Sequence, residues 1–89
     1  ILVAPTDGAL LLTTRPLFDW DNVAGATSYT IQVSTASAFT TMALNVNTSA
    51  SAYTPTADLK PATRYYWRAR ANGGNGPSEW SEVWNFQTP

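Results

Sequence analysis

Leu59-Lys60-Pro61-Ala62-Thr63-Arg64-Tyr65-Tyr66-Trp67-Arg68-Ala69-Arg70-Ala71 is the stretch on which the fold turns. From Thr63 the residues alternate: Tyr65, Trp67, Ala69 and Ala71 fall on one side, and Tyr66, Arg68 and Arg70 on the other. Successive strand side chains point to opposite faces, so a period of two predicts a strand from Thr63 to Ala71, with the arginines on its outer face. Leu59-Lys60-Pro61-Ala62 reads as the connection that crosses into it.

The same period recurs outward from this strand. Tyr29, Ile31 and Val33 alternate with Ser28, Thr30, Gln32 and Ser34, predicting a strand over Thr27–Thr35. Over Pro16–Val23, Phe18 and Trp20 share one face and Leu17, Asp19 and Asp21 the other. Met42–Val46, with Leu44 and Val46 inward, and Ser51–Thr54, centred on Tyr53, are shorter segments. Val83–Thr88 closes the chain, and Ile1–Ala4 opens it before the turn Pro5-Thr6-Asp7-Gly8. Ala9–Thr13 is expected to resume pairing beyond that kink. Gly25 and the run Asn72-Gly73-Gly74-Asn75-Gly76-Pro77 supply turns. Short alternating segments with turn signals between them predict a seven-stranded antiparallel immunoglobulin-like β-sandwich.

With 89 residues the chain is expected to form a single domain, residues 1–89, cut from a larger chain because it lacks an initiator Met. Hydrophobic residues make up 44 % and charged residues 12 %, a balance that favours a packed core over disorder. The net charge is −1 and no basic run occurs, which argues against nucleic-acid partners and anionic membranes. No apolar stretch approaches the roughly 20 residues of a membrane span, so no membrane insertion is expected. Cys and His are both absent, which removes disulfides, thiol chemistry, imidazole catalysis and most zinc or copper sites. Stability must then come from packing, for which four Trp, four Tyr and three Phe are present.

Leu59 to Ala71 resembles the fibronectin type III pattern L-x-P-x-T-x-Y-x-[VW]-x-V-x-A, running from a connection into strand F. Phe18-Asp19-Trp20 is similar to that family's strand B, Ala26 to Ser34 to its strand C, and Trp84-Asn85-Phe86-Gln87-Thr88-Pro89 to its strand G. The resemblance is greatest to variants found in tandem in large bacterial surface and secreted proteins. It implies fibronectin type III topology and a structural set of Trp20, Tyr29, Leu59, Tyr65, Trp67 and Phe86. It also implies a tyrosine corner: the Tyr65 ring is buried over Leu59 and Trp20, and its hydroxyl bonds to backbone of the preceding connection. The family's usual Gly in that connection is Ala62 here, so no positive φ is expected there.

Candidate sites are few, and each has a plainer reading beside it. Asp19 and Asp21 share a strand face about 7 Å apart, a spacing that invites a glycosidase or metal reading. With no third acid close in sequence, they read as solvated strand charges. Asp7 beside Gly8 invites a calcium reading on equally slender grounds. Serines and threonines have no His base and no Lys base beside them, so no catalytic residue, metal ligand or cofactor is expected. Asn47-Thr48-Ser49 fits the glycosylation pattern. The turn from Asn72 to Pro77 stands where some animal relatives carry an Arg-Gly-Asp adhesion motif, which is absent here. Pro77-Ser78-Glu79-Trp80-Ser81 resembles the latter half of the Trp-Ser-x-Trp-Ser motif of cytokine receptor domains. That resemblance implies a cation–π ladder of Trp80 with Arg68 or Arg70. A straight strand through Trp80 would bury Glu82 beside Trp84 and Phe86, so a bulge or bend must turn Trp80 outward.

The expected role is a non-catalytic structural spacer or adhesion module of an extracellular or cell-surface protein, with neighbouring domains of the parent chain as partners. Two alternatives remain open. One is a protein- or polysaccharide-binding module using Tyr66 and Trp80; the other is self-association into filaments.

Overall fold

The computed structural model describes residues 2–73 and 77–89; Ile1 and the middle of the predicted Gly-rich turn, residues 74–76, lie outside them. Eight strands run in chain order: β1 Leu2–Ala4, β2 Ala9–Leu10, β3 Phe18–Trp20, β4 Ala26–Ser34, β5 Met42–Thr48, β6 Ala52–Tyr53, β7 Arg64–Gly73 and β8 Trp84–Gln87. They form two sheets, β1-β3-β6 and β2-β8-β7-β4-β5, and no helix occurs among the described residues. This is the expected immunoglobulin-like sandwich, with one strand more than predicted.

The extra strand arises from the opening segment. Its first part pairs antiparallel with β3, Leu2 opposite Trp20. After the cis Ala4–Pro5 peptide and the turn at Gly8 (φ 80°), the chain has changed sheets. Ala9 and Leu10 then pair parallel with Phe86 and Gln87 of β8, an exception to the antiparallel expectation. Asp7 fastens the crossing, because its Oδ1 accepts from the Asn85 backbone N–H and side-chain amide at 2.9 and 3.0 Å. One opening segment thereby guards an edge of both sheets, which leaves less unpaired backbone for another chain to join.

Alternation decides the core. Tyr29, Ile31 and Val33 of β4 and Tyr65, Trp67, Ala69 and Ala71 of β7 face Phe18 and Trp20 of β3 and Phe86 of β8, all buried. Their rings meet mostly edge to face: Phe18 lies 5.1 Å from Trp67 and 5.7 Å from Phe86, and Trp20 lies 5.7 Å from Tyr29. Such pairs add about 0.5–1.5 kcal/mol each beyond area burial. With Leu2 and Leu59 they form one continuous cluster, which Leu44, Val46 and Tyr53 flank.

The tyrosine corner forms at the crossing connection: the Tyr65 hydroxyl accepts from the Lys60 backbone N–H at 2.8 Å. The ring beneath it differs from expectation. Tyr65 stacks on Phe86 at 5.6 Å, whereas Trp20 packs against Tyr29 and Trp67. Ala62 is a second correction. Its φ is 50°, the left-handed region that a Gly would occupy at less cost. The strain is held in place because the Ala62 N–H donates to the Pro89 carbonyl at 2.7 Å. Thr88 completes the clasp: its hydroxyl accepts from Thr63 N–H and donates to the Lys60 carbonyl. A backbone need of this kind overrides the residue preference.

Candidate functional site

The outer face of β7 carries the most elaborate side-chain arrangement in the molecule. Arg68 and Arg70 project from alternate positions, about 7 Å apart along a strand. Both guanidinium carbons lie 4.3 Å from the Trp80 ring centroid. That separation is the space of one aromatic ring between two cations. Arg68 also lies 4.1 Å from the Phe39 ring, so the order is Phe39, Arg68, Trp80, Arg70. Gln32 of β4, opposite Arg68 in register, fixes the guanidinium by accepting from its Nε and Nη2 at 3.0 and 2.8 Å. Burial first and the Arg70 charge second pull the Arg68 pKa below its ordinary value, the mark of a cation partly withdrawn from water.

Trp80 reaches this face because residues 77–83 are not a regular strand. Ser78 and Ser81 carry the segment along β7 by pairing their hydroxyls with its backbone. Ala71 N–H donates to Ser78 Oγ and Ala69 N–H to Ser81 Oγ, each at 3.0 Å. The two serine N–H groups return bonds to the Ala71 and Ala69 carbonyls at 2.8 and 2.9 Å. Side chains thus replace strand-to-strand bonds, the chain is offset, and Trp80 turns outward while Trp84 re-enters the regular strand against Trp67. Glu82 stays exposed and accepts weakly from Trp84 Nε1 at 3.3 Å.

Phe39 escaped the sequence reading. It lies between β4 and β5 at φ 57°, in a turn closed by Ser34, whose Oγ accepts from Ala36 N–H and donates to the Thr41 carbonyl. No period marks such a position. Beside the ladder runs a row of amides and hydroxyls: Asn72 donates to Thr30, and Thr30 in turn to Asn47. Asn47, the glycosylation candidate, is thus in the paired strand β5 with its carbonyl oxygen engaged. Tyr66 sits half-buried on the same face, across from Asn85 and Ser34.

The acidic candidates do not converge. Asp19 pairs across to Ala52 and Asp21 is exposed beyond the strand end, while Asp7 is committed to Asn85. No group of three or more metal-binding side chains occurs among the described residues. A cavity of about 120 Å³ does open at the edge of the sandwich, where Leu2, Trp20, Asp21, Tyr29, Arg70 and Glu79 are among its walls. Among the described residues, Trp20 Nε1 and Arg70 Nε are buried with no hydrogen-bond partner.

Comparison with known proteins agrees with this architecture. The fold matches an Fn3-like protein from Clostridium thermocellum with a TM-score of 0.71 at 26 % identity, covering 93 % of this chain and 88 % of that one. A human fibronectin type III domain, the sixth from fibronectin type III domain containing protein 3, matches at TM-score 0.69 and 21 % identity, covering 100 % of this chain and 80 % of that one. The Streptomyces avermitilis α-L-rhamnosidase, solved with L-rhamnose, matches at TM-score 0.70 and 23 % identity; 98 % of this chain corresponds to 10 % of that one. No curated protein sequence matches. The family model described as the Rha78A-like, N-terminal immunoglobulin domain matches residues 6–89. The sandwich is therefore of the fibronectin type III kind, and the chain belongs to the family of N-terminal immunoglobulin domains of Rha78A-like proteins.

Proposed function

We propose that this domain is a non-catalytic N-terminal module of a secreted enzyme acting on rhamnose-containing carbohydrate, and that it serves as a rigid structural spacer and brace. The family match over residues 6–89 carries the reading. The chemistry of the domain supports it, since neither His nor Cys is present and the carboxylates are dispersed. Trp80, the most conspicuous ring on the outer face, is held between two arginines and offers little free face for stacking on a sugar. The ladder therefore acts as a clamp that fixes residues 77–83 to β7.

The other reading, a carbohydrate-binding module, draws on the edge cavity and the unpartnered Trp20 N–H. Titration of the 89-residue domain with L-rhamnose, rhamnosides and rhamnose-containing polysaccharides, followed by tryptophan emission, separates the two. A spacer gives no saturable change. A saturable change that Trp20→Phe abolishes moves the assignment to ligand binding.

A further inference from the structure

The most exposed large apolar side chains are gathered on one short segment. Leu12 is 98 % exposed, Leu10 78 % and Leu17 54 %, and all three lie on the run from β2 to β3. Single exposed leucines need no explanation, but a cluster on one tied segment does. This run is well fastened. Leu11 N–H donates to the Gln87 carbonyl, and Leu59 N–H to the Thr14 carbonyl, both at 2.9 Å. The Thr14 hydroxyl and the Arg15 guanidinium both bond to Asp58, also at 2.9 Å. Pro16 is buried, and Leu11 packs on the core between its two outward neighbours. Leu10 and Leu12 are thus held in water by an anchored backbone.

The place of the segment matters. Leu10 pairs with Gln87, and the connection that Thr14 touches also holds the Pro89 carbonyl through Ala62. The leucines therefore stand at the pole where the chain leaves the sandwich. We propose that Leu10, Leu12 and Leu17 form the surface on which the polypeptide following Pro89 in the parent protein packs, fixing the domain to its neighbour instead of leaving it tethered. This rests on the reading of the domain as an N-terminal module. In the rhamnosidase that matches the fold, 90 % of the chain lies outside the matched part, and the family description places this domain ahead of the rest. Size favours that occupant over a free one. Three leucine side chains supply far less than the roughly 800 Å² per partner of a stable interface. A covalently linked neighbour at an effective concentration of about millimolar needs much less. The Arg15–Asp58 pair, half-exposed beside the leucines, supplies a polar rim.

The test is the double variant Leu10→Asp/Leu12→Asp, made in the 89-residue domain and in the longer parent chain. In the domain alone, the melting temperature and the sedimentation coefficient stay close to wild-type values, because both side chains lie mostly in water. In the parent, the sandwich uncouples: it melts as a separate transition, and proteolytic cleavage just beyond Pro89 accelerates on the order of tenfold to a hundredfold. If the double variant fails to fold alone, Leu12→Ser with Leu17→Ser repeats the comparison at milder polarity. Parent chains that melt and cleave alike with and without the substitutions overturn the proposal. So does a wild-type domain that dimerises with concentration and loses this in the variant, since the occupant is then a second copy. Ligand binding by the sandwich would refute the spacer reading and leave the docking result standing; an uncoupled variant in a ligand-free domain leaves both standing.

Discussion

Replacing Trp80 by Ala removes the ring between Arg68 and Arg70 while leaving the core untouched. Each cation–π contact is worth about 0.5–1 kcal/mol when exposed and about 2 kcal/mol when desolvated. Arg68 and Arg70 are both only partly buried, so the lower figure applies to each. The loss is then about 1–2 kcal/mol, or roughly 4–16 °C in melting temperature for a domain of this size. Chemical denaturation of wild type, W80A, R70A and the double variant measures it, and the cycle isolates the Trp80–Arg70 coupling at about 0.5–1 kcal/mol. Arg68 keeps Gln32 and Phe39 in W80A, so R68A should cost at least as much as R70A. A W80A cost within about 0.5 kcal/mol, the ordinary range for surface changes, refutes the clamp.

Other outcomes follow from single contacts. Tyr65→Phe leaves the Lys60 N–H without its acceptor beside a buried ring, and should lower unfolding free energy by about 1–3 kcal/mol in urea melts. Ala62→Gly relieves a left-handed backbone worth about 1–2 kcal/mol, offset by greater chain freedom in the unfolded state, so stability should hold or rise by up to about 1 kcal/mol. A clear loss on thermal melting counts against that strain. The Thr14 hydroxyl first, and then Arg15, hold the Asp58 carboxyl below its ordinary 3.8. A depressed carboxyl contributes stability above the unfolded-state pKa and loses it as pH falls through the folded one. An NMR titration should therefore place the Asp58 midpoint below those of ordinary surface aspartates, and Thr14→Ala should raise it.

The strands were legible in the sequence because burial on one face imposes a period of two. Tyr29, Ile31 and Val33, and Tyr65, Trp67 and Ala69, declare their faces without a structure. The outward turn of Trp80 was legible from a cost, the burial of Glu82. What the sequence concealed depends on partners far along the chain. The parallel pairing of Ala9 and Leu10 follows from a change of sheet that no local pattern records. Positive φ at Ala62 is imposed by its bond to Pro89, 27 positions away, against the preference of its own side chain. Phe39 joined the ladder from a turn whose geometry Ser34 sets. The three exposed leucines stood in plain view, but their common pole emerged only once Gln87 and Pro89 were placed beside them.

The central claim is that the domain is a structural brace of the proposed parent enzyme and takes no part in its catalysis. Removing residues 1–89 from the parent enzyme and measuring kcat and KM on a small aryl rhamnoside, well below the melting temperature, tests this most directly. A module of this kind leaves both constants within about twofold and lowers thermal stability. A fall in kcat beyond about tenfold, near 1.4 kcal/mol of transition-state stabilisation, in a truncated enzyme that is still folded contradicts the account.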